Sequence, residues 1–184
     1  MDTEAVIRGL FAGVTSNYDT HRPALCEAIV RTTGPIIELG MGEGSTRALH
    51  GVAETCSRIV HSYDHVAAWV ARYSALETRR HLIRHVASWD DCPVELVEQW
   101  GTPRESSRWG VAFVDHAPAE RRVVDIQRLA QHSQVVVVHD TEDPTYGYER
   151  VFATFAHRLD YRSQASWTTI LSNFTDVSSW VIAG

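Results

Sequence analysis

The chain has 184 residues, of which 44% are hydrophobic and 22% charged, with a formal net charge of −6. These values are typical of one globular domain with its own core, and the acidic balance argues against a nucleic-acid-binding surface. The N-terminus does not resemble a signal peptide, and no apolar run approaches the roughly 20 residues that cross a bilayer. The three cysteines form no CxxC pair, so we expect a reducing cytoplasmic compartment.

Hydrophobic periodicity predicts helices and strands that alternate along the chain. Predicted helices are 5–14, 23–30, 45–52, 66–75, 120–129 and 149–155, and predicted strands are 36–39, 58–63, 81–86, 110–114 and 135–138. The tail, 161–182, predicts one or two final strands. This alternation indicates a single doubly wound α/β domain, 1–184, with a mostly parallel sheet. Residues 1–33 would form an N-terminal helical cap and 34–184 the core.

The stretch GPIIELGMGEGSTRALH places a glycine-rich turn between a buried strand and a helix. Gly40, Gly42 and Gly44 remove side chains where a ligand can lie against the backbone, beside the unpaired N–H groups of a helix N-terminus. Ser45 stands where a dinucleotide-binding turn has its third glycine. An acid at Glu38 suits a ligand with an ammonium group and repels a pyrophosphate. The pattern favours a nucleoside carrying an amino acid, and a tight turn without a ligand is the alternative.

Later stretches supply further candidate ligand-binding residues. Asp64 ends the second predicted strand, where a carboxylate can accept both ribose hydroxyls, with a helix N-cap as the alternative. In VASWDD, Ser88 can bond an adenine edge and Trp89 can cover its face, although core packing explains Trp89 equally well. In SNYDTHRP, Tyr18 and His21 can close the pocket, and a helix cap is again the alternative.

These motifs resemble those of class I S-adenosylmethionine-dependent methyltransferases, over about residues 34–160. ELGMGEGST resembles the first motif of the class, and VASWDDCP, VAFVDHAPAERR and VVVVHDTEDP resemble motifs of its small catechol and natural-product O-methyltransferases. The resemblance implies a seven-stranded Rossmann-like sheet and methyl transfer from S-adenosylmethionine to a small molecule, most readily to oxygen. The cofactor-binding residues that it implies are Glu38, Gly40, Gly42, Gly44, Ser45, Asp64, Ser88, Trp89, Asp115 and His116.

The same resemblance implies a Mg²⁺ site at Asp115, Asp140 and Thr141. Two carboxylates at neighbouring strand ends suit a hard cation, which would lower the pKa of a substrate oxygen. The chain departs from the catechol enzymes, because Pro118 stands in place of their lysine base and Thr141 in place of their metal-binding asparagine. Metal dependence therefore stays open, with capping or cofactor-facing carboxylates as the alternative.

Catalytic candidates must come from histidines and acids, since all 17 basic residues are arginine and arginine stays protonated. We expect His116, His139 and Asp140 to carry the chemistry, although His139 can point away from a site that contains Asp140. Two other functions stay open: an NAD-dependent oxidoreductase, and a protein that binds S-adenosylmethionine without turnover. The expected partner is a small-molecule methyl acceptor, with no nucleic acid and no membrane. Homo-oligomerisation also stays open.

Overall fold

A computed structural model describes residues 2–96 and 108–183, in which seven strands form one sheet. The strands are β1 (Ile36–Leu39), β2 (Val60–Asp64), β3 (His81–His85), β4 (Trp109–Val114), β5 (Ser133–His139), β6 (His157–Tyr161) and β7 (Thr168–Ser172). The helices are α1 (Thr3–Leu10), α2 (Arg22–Arg31), α3 (Thr46–Cys56), α4 (Ala67–Tyr73), α5 (Arg122–Leu129) and α6 (Tyr148–Phe152). None of these helices is long and apolar enough to span a membrane.

The strand order is β3-β2-β1-β4-β5-β7-β6. Strands β1 to β5 are parallel to one another, whereas β7 is antiparallel to both β5 and β6. The predicted single-domain α/β architecture is confirmed, with a mixed sheet. Since the winding reverses between β1 and β4, a crevice is expected above the carboxyl ends of these two strands.

Burial on both faces of the central strands explains their continuous apolar sequences. All six residues of β4 and the four valines of β5 are buried. Alternate side chains join two cores, one against α1, α2 and α3 and the other against α5 and α6. Phe113 and Val137 belong to the first core, and Val114 and Val138 to the second. Because successive side chains of a strand point to opposite faces of the sheet, each central strand packs against both layers of helices.

The ends of the chain differ from the sequence-based expectation. The first helix ends at Leu10 rather than at residue 14, and the chain turns at Gly13, whose φ is +79°. Of the last two strands, β7 lies within the predicted tail, 161–182, whereas β6 begins earlier than predicted, at His157. This edge strand is mostly half-buried and carries an Arg158–Asp160 ion pair, so its hydrophobic signal is weak.

Candidate functional site

A cleft of about 740 Å³ opens at the carboxyl ends of the parallel strands. The loops after β1, β2, β4 and β5 line it, together with the N-terminal segment 16–18. This is the crevice expected from the reversal of winding between β1 and β4. Seven of the residues predicted to bind cofactor or metal or to act in catalysis border the cleft: Gly40, Gly42, Asp64, Asp115, His116, His139 and Asp140. Tyr18, predicted to close the pocket, lies at its rim and is 83% exposed.

The three glycines after β1 meet different surroundings. Gly40 has a φ of +94°, and a Cβ there would lie 2.6 Å from the carbonyl oxygen of Asp115. A Cβ on Gly44 would lie 2.9 Å from Cε1 of His21. At Gly42, by contrast, the nearest atom to a Cβ is a hydroxyl oxygen 3.9 Å away. Gly40 and Gly44 are therefore required by the packing of the chain itself, whereas Gly42 borders open space that a ligand can fill.

Glu38 lies fully buried beneath this loop. Its carboxylate accepts hydrogen bonds from the hydroxyls of Ser45, at 2.5 Å, and Thr46, at 3.1 Å, at the start of α3. Burial raises the pKa of Glu38 to about 7, and the hydrogen bonds from these hydroxyls partly oppose the rise. Glu38 and Ser45 thus hold the glycine loop against α3 and are bonded to each other.

We expect Glu38 to make the fold less stable as the pH rises from about 5 to 7. In this window the folded protein retains a proton that an unfolded glutamate, with a pKa of about 4.3, has released. The contribution of Glu38 to the free energy of unfolding therefore falls with pH, by up to about 1.4 kcal/mol per pH unit.

Urea unfolding of the wild type and of Glu38→Gln between pH 5 and 8 measures this contribution. Because glutamine does not ionise, the stability of the wild type relative to the variant should decrease up to about pH 7 and then level off. Glu120→Gln, at an exposed position, is the matched control and should show no such trend. A stability difference between wild type and Glu38→Gln that is constant across the range would contradict the prediction.

Asp64 ends β2 and lies in the cleft wall with only 4% of its surface exposed. Its carboxylate accepts a hydrogen bond from the backbone N–H of Met41, at 2.9 Å, and another from that of Val66, at 2.8 Å. It therefore ties the glycine loop to the chain segment before α4. Each carboxylate oxygen keeps a second lone pair for a ligand donor, so capping and ligand binding are compatible at this residue.

The stretch predicted to bind adenine is held together by its own contacts. Ser88 is exposed, and its hydroxyl caps the 3-10 turn that follows. Trp89 is buried, donates from Nε1 to the carbonyl oxygen of Ala117 at 2.8 Å, and stacks on His116 with ring centroids 4.1 Å apart. Nε2 of His116 lies 3.1 Å from the buried carboxylate of Asp125. Burial lowers the pKa of His116, against the opposing effect of Asp125.

Arg122, in the first turn of α5, joins the ends of β4 and β5. Its buried guanidinium lies 3.0 Å from Oδ1 of Asp115 and 3.4 Å from Oδ2 of Asp140. It also donates to the carbonyl oxygens of His116, at 2.6 Å, and His139, at 3.1 Å. Sequence reasoning missed this residue, which stands in the motif VAFVDHAPAERR. A cation supplied by the chain itself thus lies between the two strand-end carboxylates.

The predicted Mg²⁺ site does not fit the residues present. An ion shared by Asp115 and Asp140 would have to displace the guanidinium of Arg122, which already pairs with both carboxylates. The hydroxyl of Thr141, the third predicted ligand, accepts a hydrogen bond from Thr169 at 3.0 Å and is thus engaged with β7. The donor set that Mg²⁺ prefers is therefore not available here.

The end of β5 brings two neighbouring residues to the same cleft. Asp140 has a φ of +56°, so the alternation of the strand ends at His139 and both side chains border the cleft. The side chain of Asp140 is 34% exposed, compared with 22% for Asp115. Asp140 is therefore the most accessible of the carboxylates predicted at strand ends.

Two buried histidines lie beside Asp115. Nδ1 of His139 is 3.3 Å from Oδ2 of Asp115, and its Nε2 is 2.9 Å from Oγ1 of Thr20. The pKa of His139 is raised, because the hydrogen bond and charge of Asp115 outweigh the effect of burial. The ring of His21 lies 4.7 Å from that of His139 and 4.7 Å from that of Phe113, and burial lowers the pKa of His21 to about 3. Both ring nitrogens of His139 face protein atoms.

Several solved structures share this fold, among them the following three. A methyltransferase from Pyrococcus furiosus has a TM-score of 0.58 and 12% identity, over 94% of this chain and 95% of that one. The 16S rRNA methylase ArmA has a TM-score of 0.53 and 15% identity, and the alignment covers 95% of this chain and 92% of ArmA. The N-terminal domain of EvdMO1, with SAH bound, has a TM-score of 0.50 and 12% identity, and the alignment covers 86% of this chain and 80% of that domain. No family model and no curated protein matches the chain. At these identities the likeness establishes the fold alone, which this chain shares with one protein named as a methyltransferase and another named as an rRNA methylase.

Proposed function

We propose that the chain is an S-adenosylmethionine-dependent methyltransferase that acts on a hydroxyl group of a small molecule. The observation that carries the proposal is the cleft, in which open space beside Gly42 meets the carboxylate of Asp64 at the carboxyl ends of the parallel strands. The fold neighbours support it, since one is named as a methyltransferase, another as an rRNA methylase, and a third was solved with SAH bound.

The cleft has residues suited to the amino-acid end of the cofactor and to its ribose. S-adenosylmethionine would supply an electrophilic methyl group on a sulfonium sulfur. Gly42 leaves the loop backbone accessible to the amino-acid end of such a ligand, and a side chain there would fill that space. Asp64 offers its remaining lone pairs to the ribose hydroxyls. A dinucleotide fits less well, because Ser45 stands where a dinucleotide-binding turn has its third glycine.

The methyl acceptor is proposed to lie against Asp140. This carboxylate is the most accessible of the strand-end acids, and it can accept the hydrogen bond of an acceptor hydroxyl and orient its lone pair. Such alignment is the main requirement of the reaction, since proximity and orientation can be worth about 7–11 kcal/mol. His139 is given a positioning role, because its nitrogens face Asp115 and Thr20, and His116 is given a structural one.

The charges around the cleft favour a small acceptor over a nucleic acid. The acids Glu43, Asp64, Asp115 and Asp140 line it, whereas Arg122 is its one cationic side chain that is permanently charged among the residues described. The whole chain also carries a formal charge of −6. Such a surface repels a phosphate backbone, which nucleic-acid-binding proteins neutralise with clustered basic residues.

Calorimetric titration with S-adenosylhomocysteine, S-adenosylmethionine and NAD tests the proposal. We expect one S-adenosyl ligand per chain and no NAD binding. Asp64→Ala removes a charged acceptor of hydrogen bonds and should weaken binding about 10- to 100-fold. Gly42→Val should weaken it at least as much, because valine fills the space beside the loop. Asp176→Ala and Gly9→Val, at exposed positions, are the matched controls.

Thermal melting of each variant checks that the fold is retained. Unchanged affinity in both Asp64→Ala and Gly42→Val would overturn the assigned cofactor position. Binding of NAD in place of the S-adenosyl ligands would favour the oxidoreductase. Binding of S-adenosylhomocysteine without methyl transfer to any member of a hydroxyl-acceptor panel would favour a binding protein.

A further inference from the structure

We propose that His21, Asp115 and His139 form a binding site for a transition-metal dication such as Zn²⁺, in the wall of the cleft. One ligand atom from each residue lies within 4.8 Å of the other two. The histidines are 1% and 3% exposed, whereas Asp115 is 22% exposed on its side chain and borders the cleft. The site is therefore enclosed on the protein side and reachable from the cleft.

His21 is a buried polar ring that has no hydrogen-bond partner among the residues that the structure describes. Neither of its ring nitrogens forms a hydrogen bond within the described part of the chain. Burying a polar group without a hydrogen bond is unfavourable, so the presence of this ring calls for a compensating partner. The ring packs against Phe113, with ring centroids 4.7 Å apart, and against the loop at Gly44, where a Cβ would approach to 2.9 Å.

The hydrogen bonds of His139 direct its other nitrogen toward Asp115. Oγ1 of Thr20 lies 3.3 Å from the carbonyl oxygen of Asn17 and 2.9 Å from Nε2 of His139. A hydroxyl has one proton, and when Thr20 donates it to Asn17, the Nε2–H of His139 donates to Thr20. The lone pair of a neutral ring then remains on Nδ1 and faces Oδ2 of Asp115 at 3.3 Å. Two acceptors at this distance require a proton or a cation between them.

The separation of His139 Nδ1 and Asp115 Oδ2, 3.3 Å, suits two ligands of a tetrahedral ion. Zinc binds histidine nitrogen and carboxylate oxygen at about 2.0–2.1 Å, which places two ligand atoms of a tetrahedron about 3.3 Å apart. Thr20 would then be the outer-shell partner that fixes the orientation and tautomer of a ligating histidine. Arg122 pairs with Oδ1 of Asp115, at 3.0 Å, and leaves Oδ2 for the ion.

The donor set distinguishes this site from the magnesium site expected from sequence. Two imidazoles and one carboxylate suit Zn²⁺, Co²⁺ or Fe²⁺, whereas Mg²⁺ prefers a shell of oxygen. A fourth coordination position on the side of Asp115 would face the cleft and suit an oxygen or nitrogen atom of the methyl acceptor. That last step rests on the proposed function; metal binding itself does not.

Titration of the metal-free, untagged full-length chain with Zn²⁺ and Co²⁺, by calorimetry and visible absorption, tests the site. We expect one ion per chain and a cobalt spectrum of tetrahedral type, with no displacement by excess Mg²⁺. His21→Phe and His139→Phe keep a packed ring but remove the ligand nitrogens, and each should weaken binding at least about 100-fold, more than loss of an outer-shell partner. Thr20→Val should weaken it about 10- to 100-fold. His85→Ala, at an exposed histidine, should have no effect.

Absence of Zn²⁺ binding, or binding that His21→Phe leaves unchanged, would overturn the proposal. So would a nuclear magnetic resonance titration in which His139 remains a protonated imidazolium whether or not Zn²⁺ is added, because a proton would then occupy the position of the ion. All these measurements are made without an S-adenosyl ligand. Failure of metal binding therefore leaves the proposed function standing, and failure of cofactor binding leaves the metal result standing.

Discussion

Replacing Gly110 by alanine is expected to lower the free energy of unfolding by about 3 kcal/mol or more. Gly110 is the second residue of β4, and a Cβ there would lie 2.1 Å from the carbonyl oxygen of Thr33 and 2.6 Å from a guanidinium nitrogen of Arg58. The Thr33 oxygen belongs to the backbone, so no side-chain rotation relieves the clash. The strand cannot withdraw either, because the Gly110 N–H donates to the carbonyl oxygen of Pro35 at 2.7 Å.

Urea unfolding of the variant measures this loss, with Gly9→Ala as the matched control. Gly9 is an exposed residue of α1, where an added Cβ meets no atom within 4 Å. Alanine there should raise stability by about 0.5–1 kcal/mol, because glycine is the poorer helix former. Gly110 lies at the amino end of β4, away from the cleft, so ligand affinity of the folded variant should be retained. A loss below about 1 kcal/mol would contradict the close approach of the two segments.

The central sheet could be predicted from sequence because its strands are buried on both faces. The four consecutive valines of β5 predict a strand that is buried on both faces, and the apolar sequence of β4 predicts the same. The edge strand β6 could not be located in the same way. Its sequence HRLDY places Arg158 and Asp160 on one face, where they pair with each other, and a half-solvated strand carries little hydrophobic pattern.

The position of the site could also be predicted, since parallel strands bring their carboxyl ends to one edge. Gly42, Asp64 and Asp140 border the cleft for that reason. The partners of buried side chains could not be predicted. The motif places an acid at Glu38, but only the fold reveals that neighbouring hydroxyls saturate it. Which way Arg122 points is likewise decided by tertiary packing, because an arginine in a first helical turn can face solvent equally well.

Replacing Arg122 by methionine is expected to lower the free energy of unfolding by about 3–5 kcal/mol at pH 7.5. Methionine keeps a flexible apolar chain but leaves the carboxylate of Asp115 without its cation at 3.0 Å. Most of the cost comes from Asp115 and from two backbone carbonyls that lose a donor, since Asp140 is 34% exposed and screened by water. Arg150→Met, at an exposed position of α6, should change stability little.

The cost of this substitution should depend on pH in a defined direction. His139 and Arg122 hold the pKa of Asp115 below its ordinary value, so the stability that Asp115 contributes is present above about pH 4 and is lost at lower pH. In Arg122→Met the pKa of Asp115 should rise, and its protonation then removes the uncompensated charge. Unfolding measured from pH 7.5 down to pH 4 should show the difference from wild type shrinking. A difference that is independent of pH would mean that Arg122 acts through packing alone.

Removal of the guanidinium should also create the magnesium site that the wild type lacks. Mg²⁺ should not change the stability of the wild type, because Arg122 already neutralises Asp115 and Asp140. In Arg122→Met the two carboxylates are free to share an ion, and a ligand that binds only the folded state adds about 1.4 kcal/mol at ten times its Kd. Arg122→Lys retains the charge and should gain nothing from Mg²⁺. Equal stabilisation of all three proteins by Mg²⁺ would mean that the ion binds elsewhere. It would contradict the idea that Arg122 occupies the place of a metal ion between Asp115 and Asp140.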